Sequence, residues 1–263
     1  MPRRKGLRAT RPNLGNESAY ARKLERLVLE MHNSVLFWLI AEYRVQEPRI
    51  LAMDSRRPAD ELASAIGKLL EHWLSRFESA AITLAKGFAN RAQRTVDNSM
   101  TNAAKQAGML IKFKPSRRMQ DAYAGVVQEQ VGLIKSIPTQ YLNQVSVEVM
   151  QSVQRGRDLG TLSKSLQANF GSTRKRAALI ARDQNNKATS VMTRVRQLEV
   201  MGDDATAEWL HSGAGRHPRP AHVAAHGRTY KVSKGCFISG EYIFPGEKIN
   251  CRCTSRVLFP AFD

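Results

Sequence analysis

Apolar positions between Glu17 and Arg44 recur every three or four residues. Leu24, Val28, Met31, Val35 and Trp38 fall on one face, and the spacing predicts an amphipathic helix. Pro48 and Pro58 bracket a break. A second tract, from Ala59 to about Ala107, repeats the pattern through Leu62, Ile66, Leu69, Trp73 and Phe77, and Leu84 and Phe88 prolong it. Pro58 or Asp60 starts this helix and Gly108 ends it. The aromatic stripes read as core. Pro115-Ser116 opens a third helix over 115–135, and Pro138 opens a fourth that Gly156 closes in a left-handed cap. The run DLGTLSKSLQANFGS reads as a short helix-turn unit, after which Ser172 caps a long helix from Thr173 to Met201, stopped by Gly202.

Beyond Gly202 the helical period is lost. Glycine, histidine, proline and aromatic residues crowd in, and the short runs AEWLHS, RTYKVS, EYIFPG and CTSRVLF predict strands between turns. The expected fold class is α+β, a mostly helical N-terminal part followed by a small α+β C-terminal domain. The expected divisions are an arm over 1–15, a helical domain over 16–138, a helical connector over 139–172 and an α+β domain over 173–263.

Charge changes this picture. Lys plus Arg number 41 against 23 Asp plus Glu, a net +18 with a pI near 10.3. Such a surface attracts polyanions, nucleic acid first among them. Arg3, Arg4, Lys5, Arg8 and Arg11 stand in the first fifteen residues without an acid. They predict a flexible basic arm, either a solvated tail or a set of contacts to DNA phosphates. The longest apolar run, residues 35–41, is far short of the roughly 20 residues of a bilayer span, so no membrane partner is expected. Three cysteines and an N-terminus without an apolar signal core predict a reducing, intracellular setting.

Two places carry candidate chemistry. In the helix from Thr173, Ala177, Ile180, Ala188, Val191, Val195 and Leu198 form an apolar face, and Gln184 lies on it. A buried amide is costly unless hydrogen-bonded, so Arg182-Asp183-Gln184 predicts either a polar network tying this helix to the loops after Trp209, or a solvated run with one tolerated Gln. In the last strand, Cys251 and Cys253 would share a face with Arg252 on the other. Two thiols can clamp a zinc ion with a histidine as a further ligand, provided the backbone bends; a redox pair and the packing of buried thiols are the competing readings.

The ordered stretch ALIARDQNNKATSVMTRVRQLEVMG … EWLHS … RPAHVAAHGRTY … FPGEKINCRC, within residues 140–257, resembles the Mu F-like head morphogenesis family of tailed phages. Ile180, Ala181 and Arg182 match its helix motif, followed by Asp183-Gln184 where relatives often have Thr-Glu. Trp209, Gly227 and Asn250 match further positions. His222 falls where relatives place Cys or His, and His226 where they often have Asp. Arg219 stands where zinc-like members have the first Cys of a Cys-x-x-Cys, so Cys236 or His226 would supply a fourth ligand to a structural zinc. The resemblance implies a minor head protein present in few copies in the head interior at the portal vertex, and in host cytoplasm during assembly. Its implied partners are the portal protein, scaffold or coat protein, and genomic DNA, and its implied roles are head assembly and the packaging or ejection of DNA.

Two alternatives belong to other classes. One is a nucleic-acid-processing or toxin-like enzyme using Arg182, His222 and His226; the other is a non-specific DNA-binding protein. No paired carboxylates for two-metal chemistry, phosphate loop or nucleophile motif stands in the chain, and a non-enzyme is expected.

Overall fold

The computed structural model describes residues 6–45, 58–155, 159–213 and 217–259. Arg3, Arg4, Lys5, Pro48, Gly156 and Arg216 lie outside them. Four long helices come first: α1 (Leu14–Val45), α2 (Pro58–Gln106), α3 (Arg117–Gln154) and α4 (Leu159–Met201). Then follow β1 (Thr206–Leu210), α5 (Pro220–Ala224), β2 (Thr229–Lys231), β3 (Cys236–Ile238), β4 (Glu241–Ile243) and β5 (Thr254–Val257). The fold class is α+β, as the pattern predicts. No helix among the described residues is long and apolar enough to cross a membrane.

Several boundaries differ from expectation. Pro138 does not open a helix; it lies inside α3. Ile134, Ile137, Tyr141, Leu142, Val145 and Val149 form one buried stripe straight through it. Burial of those side chains outweighs the roughly 3 kcal/mol that an interior proline costs. Gly171-Ser172 does not break α4 either, because Leu162, Leu166, Phe170 and Ala177 continue the buried face across it. In α1 the stripe turns from Val35 to Leu39, leaving Trp38 half exposed. Gly108 and Gly202 do stop α2 and α4, each with a positive φ near 80° (80° and 77°).

The chain condenses into two compact units that interleave along the sequence. One holds Met1–Ser18, Ala85–Gln128 and Ala181–Asp263; the other holds Ala19–Leu84 and Glu129–Ile180. The described elements of the second are all helical. Its buried Tyr20 hydroxyl donates to Gln130 Oε1 at 2.8 Å, and His32 Nδ1 meets the Tyr141 hydroxyl at 2.7 Å. His32 also stacks on Phe170, with ring centroids 4.3 Å apart. Burial pushes the His32 pKa down and those of Tyr20 and Tyr141 up.

In the first unit an antiparallel sheet of order β2-β1-β5 packs Ala207 and Trp209 inward. Trp209 stands opposite Ser255, and Leu210 opposite Thr254. A second ribbon, β3-β4, turns through Ser239 and Gly240, both at positive φ, as a two-residue hairpin requires. The expected free arm is docked over its described part. Leu7 N–H bonds the Val257 carbonyl at 3.0 Å, and Leu7 and Thr10 are buried. A Cβ on Gly6 would lie 2.3 Å from the Val257 oxygen, so only glycine permits this approach. Asn13 Oδ1 then accepts the Gly15 N–H at 2.7 Å, at the start of α1.

Candidate metal centre

Two segments of the first unit bring polar side chains together. The first is α5, five residues long, started by Pro220, whose missing N–H costs nothing there. Its turn buries His222 (5% exposed) with the imidazole edge against the Trp209 ring, centroids 5.1 Å apart. Gly227, at φ 82°, then lets the chain return to β1, its N–H bonding the Trp209 carbonyl at 2.8 Å.

The second segment is the loop between β4 and β5. Gly246 (φ 84°) approaches α4 so closely that an added Cβ would lie 3.0 Å from the Ser190 Cβ. The Ser190 hydroxyl bonds the Pro245 carbonyl. Asn250, at φ 61°, donates its backbone N–H to Asp183 at 2.5 Å, while Arg182 reaches its side-chain oxygen at 3.4 Å. The expected tie between α4 and the late loops therefore exists at Arg182 and Asp183. Gln184 is buried, as are Ile180 and Ala181.

Cys251 and Cys253 do not lie in the strand ladder, which starts at Thr254. Cys251 N–H closes a turn on the Lys248 carbonyl at 2.9 Å. This bend replaces the regular strand that would hold alternate residues too far apart. Both thiols are buried, and both face the same nitrogen: His222 Nδ1 lies 3.4 Å from the Cys251 sulfur and 3.9 Å from the Cys253 sulfur. The three ligand atoms all lie within 4.8 Å of one another. With Zn–S near 2.3 Å and Zn–N near 2.0 Å, a tetrahedral ion separates N from S by about 3.6 Å. The observed distances bracket that value, so the set fits zinc.

The surroundings favour anionic sulfur. Gly246 N–H donates to Cys251 Sγ at 3.4 Å. The Cys253 thiol and backbone N–H also bond Cys251, and its pKa is lowered to about 5. Cys253 is pushed up by the same shared proton, by burial and by the Cys251 charge, and is opposed by the Ser212 N–H and Trp209 indole. The pair releases one proton readily and resists losing the second. The Trp209 indole N–H is itself buried without an aligned acceptor.

The two expected fourth ligands are not in this cluster. Cys236 is buried on β3 opposite Ile243, where burial raises its pKa. His226 uses Nδ1 to accept the His211 backbone N–H at 3.1 Å. Instead, His211 and His217 join His222, Cys251 and Cys253 around a cavity of about 40 Å³. His217 is not among the expected ligands, though its four-residue gap to His222 is a recognisable ligand spacing. Arg182 and His226 do not line this cavity, so the triad imagined for an enzyme does not converge. Arg8 and Arg11 are exposed.

Residues 143–256 match the family described as Phage Mu protein F like protein. That stretch, which runs from α3 into β5, resembles the Mu F-like proteins of phages. A protein of Haemophilus influenzae, itself named only as uncharacterized, is 30% identical over 256 residues, covering 93% of this chain and 53% of its own length. The chain thus spans about half the length of that relative. No solved structure matches.

Proposed function

We propose that the protein is a minor head protein that acts in procapsid assembly at the portal vertex and meets packaged DNA there. The carrying observation is the Mu F-like match over 143–256, within which Arg182, Trp209, His222, Gly227 and Asn250 build one packed site. Its partners in this reading are the portal protein, with scaffold or coat protein during assembly, and genomic DNA held without sequence preference. The role is structural: the buried Cys-His cluster closes the C-terminal part of the fold and performs no chemistry on a substrate.

The test uses the full chain with purified portal oligomers. Co-sedimentation at moderate salt, and a few copies per particle in virion proteomics, are expected. Absence from both the portal fraction and the particles overturns the reading. A second reading, plain non-specific DNA binding, is favoured by the +18 charge alone; it predicts duplex binding with no affinity for portal.

A further inference from the structure

We propose that the chain holds one structural zinc ion on His222 Nδ1, Cys251 Sγ and Cys253 Sγ, with His217 as the fourth ligand. The proposal stands apart from the head-assembly reading, since a zinc-closed fold is compatible with any partner.

Four observations converge. The two sulfurs stand 3.4 and 3.9 Å from one imidazole nitrogen, spacings a tetrahedral ion creates. All three ligand residues are buried, and two buried thiolates without a cation would be a costly double charge; Zn²⁺ with two thiolates and neutral histidines has none. N–H groups of Gly246, Cys253 and Ser212 point at the sulfurs, as second-sphere donors to metal thiolates do, and the Trp209 indole, fully buried and otherwise unpartnered, is turned to Cys253. Finally, the cavity at the cluster measures about 40 Å³, while one water-sized sphere needs about 10–15 Å³. It has room for an ion and one incoming ligand atom.

His217 supplies that atom better than its competitors. It lines the cavity from an exposed position outside the three-residue cluster, has no side-chain partner among the described residues, and its His-x₄-His spacing to His222 is one that zinc sites use. His211 also lines the cavity, but its Nδ1 accepts the Gly213 N–H at 3.2 Å. His226 and Cys236 are engaged elsewhere. The ion would fasten the 217 loop, α5 and the 251–253 bend to one point. Binding displaces the thiol protons, so zinc uptake releases protons to solvent.

The test uses full-length protein purified without chelator. Elemental analysis is expected to give one zinc per chain. Cobalt exchanged into the wild type should show intense tetrahedral d–d absorption with thiolate charge transfer. His217→Ala should weaken zinc at least about tenfold in chelator competition, while His226→Ala and Cys236→Ser leave affinity unchanged. A wild-type chain that neither carries zinc nor takes it up overturns the site. An octahedral cobalt spectrum, or zinc lost on His211→Ala but not on His217→Ala, overturns the fourth ligand. Because stoichiometry and cobalt spectra are read on the wild type, a variant that fails to fold does not spoil the test.

Discussion

Asp183 on α4 accepts the backbone N–H of Asn250 at 2.5 Å, and Asn250 is held at φ 61° immediately before Cys251. A helix carboxylate thus fixes the backbone of the loop that delivers both thiols. Asp183→Ala should destabilise the protein by about 1 kcal/mol, below the usual 1.5–3 for a charged bond because the site is exposed. Asn250→Gly, which keeps the N–H and relieves the left-handed strain, should cost less than Asn250→Ala. Urea denaturation of the three variants checks both; equal costs for the Gly and Ala variants would remove the backbone argument.

How far this clamp was legible in sequence is instructive. Gln184 on the apolar face marks Arg182-Asp183-Gln184 as a polar insertion, and Arg182 and Asp183 of that run bond the late loop at Asn250. Helical period says which face a residue takes; it does not say which loop arrives there, because that depends on contacts distant in sequence. The same limit explains Cys251 and Cys253. Alternation predicted a shared face, whereas a turn ending at Cys251 brings the sulfurs together. Pro138 and Gly171 misled for the opposite reason. They are local break signals, and buried stripes on both sides overrode them. No run in the sequence marks β3, because three residues carry too little pattern.

Arg196 is buried with its guanidinium on Asp97 at 2.7 Å and Glu199 at 2.6 Å, over the Phe113 ring. Removing one partner of a buried pair strands the others. Arg196→Ala should cost about 3 kcal/mol, the low end for such losses because both carboxylates keep some solvent contact. Arg196→Met, which fills the space without the charge, is expected to be nearly as damaging, since two carboxylates then face each other uncompensated. Thermal melts of both variants decide this; a mild Met variant would show packing rather than charge to be the larger effect.

Gly246→Ala should destabilise by about 1–2 kcal/mol, from the left-handed conformation and the 3.0 Å approach to Ser190 together. Gly6→Ala should detach residues 6–10 from β5 and raise amide exchange at Leu7, while the Leu258 N–H, bonded to the Thr206 carbonyl, keeps its protection. Hydrogen exchange is the readout. Unchanged protection at Leu7 would mean that the segment is not held as described.

The double variant Cys251→Ser with Cys253→Ser should lose a few kcal/mol by placing hydroxyls in a buried thiol site, on the order of the largest single-site effects. Differential scanning calorimetry measures it. A variant that melts like wild type would place the role of the pair outside folding.

Duplex DNA affinity should fall about 10³-fold or more between roughly 50 and 200 mM salt if at least six phosphates are contacted. Arg8→Ala with Arg11→Ala should flatten the slope of log affinity against log salt by about two, one unit for each lost phosphate contact. Filter binding across a salt series measures it; an unchanged slope would place the DNA contacts elsewhere on the basic surface.

The interleaving of the two units bears on how such a chain can be cut and exchanged. The family stretch 143–256 takes residues 143–180 from one unit and 181–256 from the other, and leaves behind Met1–Ser18 and Ala85–Gln128. Those omitted segments bring Leu7, Phe88, Val96 and Met100, all buried. A recombination event or an expression vector that transplanted the family stretch alone would carry the motif and leave its hydrophobic interior open to water. The inheritable cassette is therefore longer than the motif: it has to include Leu7 and the 85–128 segment that complete the interior.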